Sequence, residues 1–115
     1  MTAVAAIALA VNEELVVRSA KPASVTTHHV YNTGQLPHIA HGHRSLLVVE
    51  TGRKWVTLLD WTTLEACKVE LAVWERMKPE QRNGTARTVR RAMRNMLHYR
   101  EKTAVVKAAL KLVEA

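Results

Sequence analysis

Phenylalanine is absent from the 115 residues, and three Trp and two Tyr carry all the aromatic weight. Cysteine occurs once, at Cys67, which excludes an intrachain disulfide and fits a reducing compartment. Aspartate also occurs once, at Asp60, so carboxylate–metal and Ser-His-Asp arrangements are hard to assemble. No Gly-rich phosphate loop, no G-x-S-x-G turn and no carboxylate pair is present. The apolar stretch "AVAAIALAV" near the start is too short to span a bilayer and follows no basic residues. It reads as a buried strand or helix. These absences lead to the expectation of a non-enzymatic, cytoplasmic protein with no cofactor and no membrane partner.

What is present is a folding composition and an uneven charge. Hydrophobic residues make up 48%, enough for one domain over residues 1–115. The net charge is +7. Residues 78–115 hold ten basic and three acidic residues, so that third alone accounts for the excess. A field polarised in this way attracts a polyanion or an acidic protein surface.

Residues 1–70 read as mainly β. "AVAAIALAV", "ELVVRS" and the β-branched "SVTTHHVY" are candidate strands. "NTGQLPHIAHGHR" (32–44) has the Gly, Pro and Asn content of a long His-rich loop. "SLLVVE" (45–50), "KWVTLLD" (54–60) and "LEACKVE" (64–70) form an antiparallel meander. Gly52 is expected to supply positive φ in the first hairpin turn. Trp55, Thr57 and Leu59 alternate with Val56 and Leu58, so both faces of that strand are at least half apolar.

From residue 71 the period lengthens. "LAVWERM" is a short helix stopped at Lys78-Pro79, "EQRNG" is a connector, and residues 71–115 read as helical and basic. In "RTVRRAMRNMLHYR" (87–100), Arg87, Arg90, Arg91 and Arg94 fall on one narrow helix face, and His98 joins them. Val89, Ala92, Met93, Met96 and Leu97 fall opposite. Continuing that helix through "AVVKAALKLVEA" would swing the apolar stripe by about half a turn, which predicts a break near Glu101–Thr103. Thr85 and Thr103 are the expected N-caps. Strands followed by a helical hairpin make an α+β fold: a small antiparallel sheet, then a C-terminal helical hairpin.

Arginine presents a forked, permanently charged donor set that matches phosphate. Only Glu80 and Glu101 lie near the stripe in sequence, at poor spacing for ion pairs along the helix, so the face is expected to await an external anion. Asn95 beside it could read a base edge. In "GRKW", Arg53 and Lys54 beside Trp55 offer charge plus stacking for a single strand. Trp55 itself reads more readily as core, as does Trp74, and Trp61 in the next turn as the exposed aromatic. Five of the six His lie in residues 28–43, and His38, His41 and His43 are the candidates for a metal. No Asp, Glu or Cys is close to them in sequence, so no bound metal is expected and a His-rich surface loop is the reading kept.

The meander "RSLLVVETGRKWVTLLDWTTLEACKVEL" resembles the central strands of small SH3-like barrels. "GRKWVTL" with the helical tail resembles small accessory proteins of bacteriophage genomes. The resemblance covers about residues 44–71 and implies a non-enzymatic binding module. Two functions follow as expectations. One is nucleic-acid binding through the arginine face, with DNA and RNA equally open. The other is a phage-type inhibitor or adaptor that docks the same face on an acidic protein surface.

Overall fold

The computed structural model describes residues 24–114. The two strands expected within residues 1–23 lie outside them. The described chain is α+β, with five antiparallel strands and three helices. The strands are β1 (Ser24–Asn32), β2 (Gly42–Thr51), β3 (Trp55–Asp60), β4 (Ala66–Glu70) and β5 (Glu80–Thr85). The helices are α1 (Leu71–Arg76), α2 (Ala86–Met96) and α3 (Ala104–Glu114). The strand order is β4-β3-β2-β1-β5, an open sheet with β4 and β5 as its edges.

Neighbouring leucines explain how one sheet carries two cores. Successive strand residues point to opposite faces. Leu46 and Leu58 therefore join Val30, Val56, Cys67, Val69 and Trp74 on one side, where α1 and the 33–41 loop cover them. Leu47 and Leu59 join Val89, Met93, Val106, Ala109, Leu110 and Val113 on the other, where α2 and α3 lie. The half-apolar strand faces seen in the sequence are the mark of a sheet covered on both sides. Truncating Leu47 or Leu59 to Ala would cost about 2–5 kcal/mol at such fully buried positions.

Several local expectations change. "EQRNG" is not a connector: residues 80–85 form edge strand β5, with Ser24 opposite Thr85 and His29 opposite Glu80. Its side chains are almost all exposed, so it shows no hydrophobic period, and pairing with distant β1 defines it. The 71–115 segment is thus helical on either side of a strand. The loop expected over 32–44 ends earlier, because Gly42–Arg44 already belong to β2. Gly52 does not supply positive φ; Gly34 and Gly42 do. Gly52 instead permits close approach, since its N–H donates to the Trp55 carbonyl at 2.7 Å and a Cβ there would meet that oxygen at 3.3 Å. The third strand of the meander starts at Ala66, because Leu64 turns the chain with φ 60.

Two buried polar residues hold the connections. Asn32 sits at the end of β1, and its amide donates to the carbonyls of Leu36, Ile39 and Ala40. Its oxygen accepts from the N–H groups of Gly34 and Leu36. The His-rich loop is thereby folded around one fully satisfied side chain. Asp60 is fully buried at the β3–β4 turn. It accepts from Arg44 Nε at 2.6 Å, Thr62 Oγ1 at 2.7 Å, and the N–H groups of Thr62 and Thr63.

The expected break between the last two helices is present. α2 ends at Met96 and α3 begins at Ala104, where Thr103 Oγ1 accepts from the Val106 N–H at 3.3 Å. Thr85 occupies the N-cap position of α2, but its side chain makes no capping bond.

Candidate functional site

The apolar stripe of α2 (Ala86, Val89, Met93) is buried on the sheet, which turns the arginines outward. Arg87, Arg90, Arg91, Arg94 and Asn95 line one open groove. Arg87, Arg91 and Arg94 are exposed, and Arg90 is half-buried. The sequence reading of one arginine face is therefore the arrangement found.

The same face continues onto α3, which the sequence reading missed. Arg94, Lys102, Lys107, Lys111 and Glu114 line a second groove. Arg94 borders both grooves, so they adjoin. Among the described residues, they together bring seven cationic side chains around one carboxylate. The available signal was Lys107 and Lys111 at i,i+4, turned away from the stripe of Val106, Ala109, Leu110 and Val113 that the sheet buries. The sequence could not show that this second basic stripe lies beside the first, because their adjacency comes from folding.

The expectation that the face has no intrachain acidic partner is overturned. Arg94 makes an ion pair with the Glu114 carboxylate. Arg90 donates from Nη1 to the Val113 carbonyl at 3.2 Å, at the C-terminal end of α3 where carbonyls lack helical partners. Glu114 was overlooked because it is 20 residues from Arg94 in sequence and adjoins it only through helix packing. Among the described residues, Arg87 and Arg91 make no such bond, so of the four arginines they are the two most open to an external anion.

The remaining site residues are dispersed. His98 is exposed in the turn after α2 and does not line the arginine groove. The helical spacing that would join it to the stripe does not reach it, because α2 ends two residues earlier. Arg53 and Lys54 are exposed in the β2–β3 turn. By strand register this turn lies at the end of the sheet where α2 begins. The aromatic assignments reverse. Trp55 is 46% exposed, on the face that carries α2 and α3. Trp61 is half-buried against that core and donates from Nε1 to Ser45 Oγ at 2.8 Å. Trp55 begins its strand beyond the helical cover, whereas Trp61 extends β3 under it. Trp74 is buried, as read.

His38, His41 and His43 are exposed, and His43 packs edge-on against Tyr31 with ring centroids 4.7 Å apart. Among the described residues, no three metal-ligating side chains converge. His28 packs edge-on against Trp74 at 5.7 Å, and its Nδ1 is buried without a partner. Burial, and secondarily His29, holds the His28 imidazole below its ordinary 6.5. Burial also lowers His29, aided by the charge of Arg82 and opposed by Glu80. Burial pushes the Cys67 thiol up to about 11, which leaves little thiolate at neutral pH.

Compared with protein-family models, curated proteins and solved structures, the chain matches none. Among the described residues, no helix is long and apolar enough to cross a membrane.

Proposed function

We propose that the chain is a non-enzymatic nucleic-acid-binding protein whose α2–α3 surface holds phosphate backbone. The observation that carries this reading is the sharing of Arg94 between two adjoining grooves, one lined by arginines and one by lysines. A continuous cationic surface of this kind can neutralise several phosphates in succession and release their counterions. Asp60 spends its acceptors on a turn, and Cys67 is buried with a raised pKa, which supports a role without catalysis. The SH3-like character of residues 44–71 and a cytoplasmic location belong to the same proposal.

A second reading has one observation in its favour. The Glu114 carboxylate already sits on Arg94, so the face accepts a carboxylate as well as a phosphate. An acidic surface of a partner protein would fit it, as for a phage-type inhibitor or adaptor.

Fluorescence anisotropy with DNA and RNA probes separates the two readings. If about four phosphates are met, the affinity falls with salt at a log–log slope of roughly −3 to −4. Binding no tighter than about 100 μM at physiological salt would lie beyond the usual non-specific range and favour the protein partner. Nucleic acid that copurifies and is removed by nuclease would favour the first reading.

A further inference from the structure

We propose that Tyr99 is a base-stacking platform and that the ligand is therefore a single-stranded nucleic acid. This rests on the polyanion reading of the helix surface and extends it to the substrate class. Tyr99 is 83% exposed, the most exposed large apolar side chain among the described residues. It lies in the segment that joins the two basic helices.

The ring is carried on an ordered turn. The Tyr99 and Arg100 N–H groups donate to the Met96 carbonyl at 2.9 and 3.0 Å, and the His98 N–H donates to the Asn95 carbonyl at 3.3 Å. The His98 ring packs edge-on to Tyr99, with centroids 6.4 Å apart. Arg100 lies 3.8 Å from the Glu65 carboxylate, which ties the turn to the β3–β4 connection. Lys102, three residues on, lines the groove that also contains Arg94. The turn thus sets one solvated aromatic face in a pocket that Arg100 and Glu101 also line, between the two helices that carry the basic grooves.

That combination selects an unpaired strand. Every base offers a π-face to an aromatic ring, so stacking adds affinity without sequence preference. In a duplex those faces are already stacked on each other and are closed to Tyr99. The other exposed aromatics fit less well. Trp55 stands at the opposite end of the sheet from the β3–β4 connection that Tyr99 adjoins. Tyr31 lines a separate cavity with His43, Lys78, Glu80 and Arg82, which no residue of α2 or α3 borders.

The test is an anisotropy titration of the full chain with three labelled probes of equal length: oligo(dT), an abasic strand, and a blunt duplex. The native chain should bind oligo(dT) about tenfold more tightly than the abasic strand, as expected for stacking of one or two bases. Tyr99→Ala should remove most of that gap and leave the abasic affinity unchanged, whereas Tyr99→Phe should retain it. A gap that survives Tyr99→Ala, or that is lost with Trp55→Ala instead, would overturn the assignment. So would a duplex bound as tightly as oligo(dT). If the abasic strand binds and no gap exists, only the stacking proposal fails. If no probe binds, the polyanion reading fails and takes this proposal with it.

Discussion

Two arginine–carboxylate pairs in this protein look alike in sequence terms and differ in what surrounds them. Arg44 meets Asp60 at the β3–β4 turn, with the carboxylate fully buried and three further donors on its other oxygen. Arg94 meets Glu114 on the helix surface, where the Arg side chain is 58% exposed and the neighbours are cations. The first pair is closed, because both carboxylate oxygens are used and no solvent reaches them. The second is open, because solvent and a competing anion can reach it. Burial and the number of partners, more than the pair chemistry, separate a structural ion pair from one at the proposed binding surface.

Breaking the closed pair should have the largest effect. Asp60→Ala removes the charge that Arg44 faces and leaves two turn N–H groups and the Thr62 hydroxyl without their acceptor. The expected loss is about 3 kcal/mol or more of unfolding free energy, read from urea denaturation. A loss under about 1 kcal/mol, the value of an exposed pair, would erase the difference between the two pairs.

The open region should respond in binding rather than in stability. Arg87→Ala with Arg91→Ala leaves Ala86, Val89 and Met93 in place, so the unfolding midpoint should hold. Its nucleic-acid affinity should fall, and the salt slope should shrink by about two, roughly one for each phosphate contact removed. An unchanged slope would move the contacts to the lysines of α3.

The same contrast explains what could be read in the sequence. The β2–β3–β4 meander and the break before α3 were legible because their signals are local: strand alternation, turn residues and the phase of a helical stripe. The arginine face was legible for the same reason. β5 was not, because an exposed edge strand buries nothing and is defined only by pairing with β1. Glu114, Lys107 and Lys111 were missed as site residues because each enters the site through packing of α3 beside α2. Trp55 and Trp61 were exchanged because the exposure of a strand end depends on where the helices stop covering it.

The histidines give a smaller effect, confined to the sheet. His28 and His29 have folded-state pKa values below the ordinary 6.5, chiefly through burial. Above that value both states are neutral there, and the groups are without consequence. As pH falls below it, the unfolded chain takes up protons that the folded chain resists, so stability declines. Denaturation series between about pH 7 and pH 5 should show this decline, and His28→Gln should flatten it. A His28→Gln profile that runs parallel to the native one would place the sensitivity elsewhere.

The smallest stability effect, and the sharpest contrast with Asp60, belongs to Glu114→Gln. An exposed pair contributes about 0–1 kcal/mol, so its loss should barely move the unfolding curve. The binding surface should gain by the same change. Among the described residues, Glu114 is the one carboxylate bordering the groove of Arg94, Lys102, Lys107 and Lys111, and it occupies the arginine that both grooves share. Removing its charge frees Arg94 for a phosphate and lifts the local repulsion of a polyanion. Affinity for a single-stranded probe should rise, and the salt slope should steepen by about one, the value of one added phosphate contact. Arg94→Ala is the matching control. In that background Glu114→Gln should change the salt slope little, because the cation it would release is gone. If the two substitutions instead act additively on the slope, Glu114 works as a general negative charge on the surface, and Arg94 is not the residue for which it competes with phosphate.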